Sequence, residues 1–234
     1  MENIKIQYIF KLSDSSQSEF ILNIDADSLE IVKDTEEALP AWTELEYQQC
    51  PHCPLDPTSV SHCPTAVCLS KVIDTFSDVI SYEEVELEVI TDNRKISQHT
   101  SAQKSISSLL GLMFATSGCP HTNFFKPMAR FHLPLSSPEE TVFRASSMYL
   151  LSQYFIKKSG NQAELELDGL KDIYTNLHKL NVSISKRISA ASTADSTKNA
   201  IVILDMLTNY LPIVIEDHLE SIQHLFKSYT KDEF

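Results

Sequence analysis

The 234-residue sequence predicts an α+β protein. Three observations carry that expectation. Residues 3–32 and 82–99 alternate apolar and polar side chains with the period of half-buried strands. Residues 66–80 carry an apolar stripe at helical spacing, 102–116 are apolar on most sides, and 138–158 open with a helix-start signal. The last third carries heptad-like seams along two long stretches. The expected architecture is an N-terminal antiparallel β-meander and hairpin with helices around a cysteine-rich loop, followed by a C-terminal helical hairpin.

In chain order, Ile4, Ile6, Tyr8, Phe10 and Leu12 share one face of a first strand. A polar turn over 13–18 leads to a second strand at 20–24. Asp25-Ala26-Asp27 then turns into a third, Leu29 to Val32, completing a meander. Residues 33–45 are acidic and hold the only tryptophan, Trp42. Beyond the cysteine window, Val67, Val72, Ile73, Phe76, Val79 and Ile80 form a helical stripe. Val85, Leu87 and Val89 alternate with Glu84, Glu86 and Glu88, a strand with a solvated acidic face. A turn at Asp92-Asn93 pairs it with 94–99.

Residues 102–116 are apolar on most sides, which marks a core helix ending at Gly118. Ser137-Pro138-Glu139-Glu140 opens the next helix: a serine N-cap, proline in the first turn and acids against the dipole. That helix is expected to reach Lys158. Leu170, Ile173, Leu177, Leu180 and Ile184 then form one seam. Ile201, Leu204, Thr208, Leu211, Ile215, His218, Ile222, Leu225 and Tyr229 form another, across a bend at 189–197. Pro212 is expected to kink the last helix, and His218 to be a hydrogen-bonded core histidine. The chain divides into an α+β domain over 1–160 and a helical hairpin subdomain over 161–234.

The chemistry concentrates in Cys50-Pro51-His52-Cys53-Pro54, His62-Cys63-Pro64 and Cys68, with Cys119 far downstream in Gly118-Cys119-Pro120-His121. Four of the five cysteines precede proline, and Cys68 is the exception. Proline lacks an N–H and holds the residue before it extended, so each Cys-Pro is a stiff elbow that presents a sulfur. Cys-x2-Cys is the usual first half of a tetrahedral zinc site. Cys50, Cys53, Cys63 and Cys119 are the expected ligands, with His62, Cys68 and His121 as alternates. The same thiolates suit an iron–sulfur cluster. Cys50-Pro51-His52-Cys53 also matches a thioredoxin-type redox tetrad, but neither the preceding strand nor the following helix of that fold is present in the sequence.

Other chemistries find less support. Only four glycines occur, so neither a P-loop nor a dinucleotide-binding fingerprint can be written. A formal net charge of -13 disfavours nucleic acid, and Lys186-Arg187 with Lys198 is too thin a basic patch to override it. The longest uncharged run, between Lys104 and Lys126, reads as a core helix and its loop, so no membrane span is expected. No secretory leader is evident, and the odd cysteine count suits a reducing cytoplasm. No His-Glu-x-x-His, paired Glu-x-x-His or Gly-x-Ser-x-Gly pattern occurs. Arg130 and His132 are the remaining candidates for a small anion or acid–base site.

Several of these stretches occur together in one known pattern. They are Cys50-Pro51-x-Cys53-Pro54-Leu55, His62-Cys63-Pro64, the run 107–112, Ser117-Gly118-Cys119-Pro120-His121, the run 127–134 and Pro138-Glu139-Glu140-Thr141. The sequence is similar to a bacterial family catalogued as a domain of unknown function. The resemblance implies a bacterial cytoplasmic protein in which the Cys-Pro cysteines recur and Cys68 does not; no activity comes with it. The function expected from the residues is non-enzymatic: a metal-binding regulatory or adaptor protein acting on a protein partner, or on a second copy, through its C-terminal helices. A thiol- or iron–sulfur-based sensor, or a metal-dependent enzyme, is the alternative.

Overall fold

A computed structural model describes residues 3–32, 38–191 and 195–229. Four antiparallel strands form one sheet in the order β2-β1-β3-β4: β1 Ile4–Leu12, β2 Gln17–Ile24, β3 Glu84–Thr91 and β4 Arg94–Ser101. The alternation in β1 works as expected. Ile6, Tyr8 and Phe10 point inward, joined by Phe20, Leu22 and Ile24 of β2 and by Val85, Leu87 and Val89 of β3. Six helices cover this sheet and each other: α1 Pro64–Thr75, α2 Ala102–Ala115, α3 Lys126–Arg130, α4 Pro138–Lys158, α5 Asp168–Ala191 and α6 Asp195–Ile222. The fold is α+β.

The sheet and α1 meet in an aromatic cluster. Phe76 packs edge-on to Phe10 at 4.9 Å and stacks on Phe20 at 5.7 Å between ring centroids. One continuous core runs from these rings through α2 (Ile106, Leu109, Leu110) to Leu180, Ile184 and Ile188 of α5 and Ile201 of α6. A second core joins α4 (Val142, Ala145, Tyr149), α5 (Leu170, Tyr174) and α6 (Leu211, Ile215). The capping box on α4 forms as its sequence demands: Ser137 Oγ accepts from the Glu140 N–H at 3.1 Å, and Glu140 accepts from the Ser137 N–H at 2.7 Å.

Four expectations need correction. The third meander strand is not a strand: Leu29 has φ +55°, and the segment makes one bridge, Ile31 to Ile24. Instead the Ile31 N–H donates to the carbonyl of Thr116 at 2.8 Å, tying the loop to the exit of α2. Glu88 is not merely solvated but buried, between Lys11 at 2.8 Å and Lys95 at 2.9 Å. His218 sits at the helix surface against Tyr210 Oη at 3.2 Å rather than in the core. Beyond Ile222 the seam runs out, leaving Leu225 and Tyr229 exposed.

The chain remains helical through Pro212. Residues 33–37 of the acidic stretch and 192–194 of the bend lie outside the described residues. Although it is not the longest uncharged run, Asp195–Tyr229 is long and apolar enough by composition to cross a membrane. Its apolar excess has a structural source. Besides the inner stripe at Ile201, Leu211 and Ile215, α6 carries an exposed one at Val202, Met206, Tyr210 and Ile213.

Candidate metal centre

Three chain segments converge at one corner of the main core. The first is the loop 44–63, unable to form helix or central strand because of its prolines. Its Cys50 carbonyl accepts from the Cys53 N–H at 3.0 Å, closing the Cys-Pro-His-Cys stretch into a tight turn. The second is the start of α1, where Cys63 is the N-cap residue and Pro64 follows at the first helical position. This sets the corner at the positive end of the α1 dipole, a place that favours anions. The third is the turn after α2. Gly118, at φ +86°, reverses the chain there and delivers Cys119.

Cys119 lies within electrostatic range of the others. The thiols of Cys63 and Cys53 act electrostatically on it, and those of Cys63, Cys53 and Cys119 all act on Cys50. Burial, then these neighbours, push the Cys50 thiol up to about 11, against a hydrogen bond from Ser183 that lowers it. Cys119 is raised by the same causes. The backbone N–H of His121 and the hydroxyl of Thr65 lie toward its sulfur and partly offset the rise. The His121 N–H is the first donor available after Cys119, because Pro120 has none.

All five cysteines are thiols rather than disulfides. The four Cys-Pro sulfurs are neighbours, not a closed coordination sphere. Among the described residues, no three Cys, His, Asp or Glu side chains stand together as a ready-made metal cage. The donor set nonetheless suits a soft dication, since the rise at Cys50 and Cys119 is one a cation would relieve.

The alternates are engaged elsewhere. His62 Nδ1 meets Thr43 Oγ1 at 2.9 Å; that hydroxyl already donates to the Pro40 carbonyl, so the histidine N–H is the donor. His121 Nε2 donates to the His52 carbonyl at 2.9 Å, and the two rings lie 4.0 Å apart. His52 in turn donates from Nε2 to the Asn176 carbonyl of α5 at 3.1 Å. Cys68 is half-buried on α1, on the helix that Cys63 caps. Arg130 and His132 do not act as a pair. Arg130 is exposed over the Phe131 ring, whereas His132 turns inward to the Tyr8 hydroxyl.

The corner is also stitched from a direction the sequence did not suggest. Arg187, expected in a thin basic patch, is instead 1% exposed and enters from α5. Its guanidinium donates to the carbonyls of Trp42 at 2.8 Å, Glu44 at 2.7 Å and Leu45 at 2.8 Å. A cation in the heptad seam was the available signal, because a charge is held on a buried face only where partners meet it.

Fold and corner together define an α+β protein in which a thiol-rich loop is clamped between a sheet-packed helix and a helical hairpin. The chain belongs to the family described as a domain of unknown function, DUF6901, whose model matches residues 6–227. No curated protein and no solved structure matches the chain.

Proposed function

We propose that Cys50, Cys53, Cys63 and Cys119 bind one zinc ion as a closed, structural, all-thiolate site. On this reading the protein is a non-enzymatic regulatory or adaptor protein of the cytoplasm, where thiols stay reduced. The observation that supports the reading is that Cys119 lies within electrostatic range of cysteines from two other segments. Binding draws the four sulfurs inward and joins loop 44–63, α1 and the α2 exit through one ion. The partner-binding surface of this reading is the exposed stripe of α6, Val202, Met206, Tyr210 and Ile213, offered to a protein partner or a second copy.

Protein purified without chelator and analysed by mass spectrometry for metals tests the site. About one zinc per chain is expected. Cys119→Ser and Cys50→Ser should each lose it, and Cys68→Ser should retain it. Visible absorption with bound iron would make the same thiolates an iron–sulfur site. Metal-free protein with uniformly reactive thiols, or a Cys119→Ser variant that keeps its zinc, would sink the proposal.

A further inference from the structure

A cavity of about 750 Å³ lies between α2, the turn before α4, α5 and α6. That is the size of a small-molecule site. Its walls are mainly apolar, with Leu112, Phe125, Met128, Leu177 and Leu204 among them. None of the four Cys-Pro cysteines lines it, so a ligand here is independent of the zinc proposal.

Two of its polar groups are unusual. In a chain of net charge -13, the charged side chains among the described lining residues are Arg144 and Lys104, both cationic. Lys104 is exposed at the rim, and Arg144 is half-buried. The Arg144 Nη2 donates to the carbonyls of Met128 at 3.1 Å and Phe131 at 3.0 Å. Among the described residues no carboxylate pairs with it. Glu140, one turn earlier on α4, acts on it electrostatically without forming an ion pair. A guanidinium drawn partly out of water with no carboxylate in direct contact is a place for an anion, and its planar fork suits a carboxylate. His132 beside it stays neutral at physiological pH, because burial holds it down to about 3.

The second polar feature is Asn181. It is 1% exposed, and neither atom of its amide has a hydrogen-bond partner. A buried amide with nothing to bond to is costly and rare. Tyr174, Leu177 and Asn181 follow one face of α5 and all line the cavity. Tyr174 feels the Arg144 charge, so it marks the cationic end. At about 1.5 Å per residue, Asn181 lies roughly 10 Å further along the helix.

We propose that this cavity binds an elongated apolar carboxylic acid, its carboxylate on Arg144 and a hydrogen-bonding group at its far end on Asn181. The apolar body fills the space between. The ligand completes two polar groups that the protein leaves short, which makes binding selective for both ends of the molecule.

Isothermal titration of the full chain with decanoate, ω-hydroxydecanoate and decanamide tests this. ω-Hydroxydecanoate should bind tightest, and decanamide at least about tenfold more weakly than decanoate. Arg144→Gln should erase the preference for the acid over the amide. Asn181→Leu should erase the preference for the hydroxylated acid and leave decanoate binding in place. No saturable binding of either acid, or equal binding of acid and amide, would overturn the proposal. Should Arg144→Gln fail to fold by circular dichroism, Asn181→Leu decides: a hydroxyl preference that survives it refutes the site, and one that disappears supports it.

Discussion

Two polar side chains of α5, Asn181 and Arg187, stand fewer than two turns apart, and each is 1% exposed. Arg187, at the cysteine corner, gives hydrogen bonds from both terminal nitrogens to three carbonyls of the loop 42–45, although its Nε has no partner. Asn181, at the cavity, gives none. The same helix thus closes one region and leaves the other incomplete. Burial alone is therefore a poor guide to role. A buried polar group with its partners in place holds structure together, and one without them points to something not yet bound.

The largest effect expected from testing this contrast is at the closed region. Arg187→Met keeps bulk but strands the carbonyls of Trp42, Glu44 and Leu45. Urea unfolding should show a loss of about 3–5 kcal/mol. A loss under about 1 kcal/mol would mean that the loop is held by its own turns. Asn181→Leu should behave in the opposite sense. Leucine has the same branching and no polar atoms, so the ligand-free protein should be unchanged or more stable by about 1–2 kcal/mol. A clear destabilisation would show that the amide has partners after all.

Glu88 calibrates the pair, since it is buried with partners, but those partners, Lys11 and Lys95, have side chains open to solvent. Its hydrogen bonds to Lys11 and Lys95 hold its carboxyl below the usual range. A depressed folded-state value means stability that is present above the ordinary carboxylate range and lost as pH falls through the folded one. Glu88→Gln should give the smallest shift of the three at neutral pH, and the difference from wild type should vanish in acid. Thermal melts at several pH values would read it, and a difference unchanged by acid would contradict the pairing.

Much of the fold was legible because it is local. Period-two alternation located β1 and β3, the serine N-cap with its proline and acids located the start of α4, and Gly118 located the end of α2. The cysteine corner was partly legible for a related reason: proline constrains the residue before it wherever that residue stands. What stayed hidden depends on partners far away in sequence. Leu29 to Val32 has strand composition, but its segment hooks onto Thr116 rather than extending the sheet. Arg130 and His132 are close in the chain yet face apart, while Arg144, on another helix, acts on His132. The outer stripe of α6 was masked by the inner one, because one helical period describes both.

The loop from Asp25 to Val32 bears on the order of events during folding. Its Ile31 grips the end of α2, and Glu30 reaches Lys126 at 2.9 Å beyond the Cys119 turn. The earliest residues of the chain thus steady the place from which the fourth sulfur is presented. A nascent chain ending before residue 119 has at most three of the four Cys-Pro cysteines and no anchored exit from α2. Contacts of such long sequence separation form late, so the corner should be among the last parts of the molecule to set.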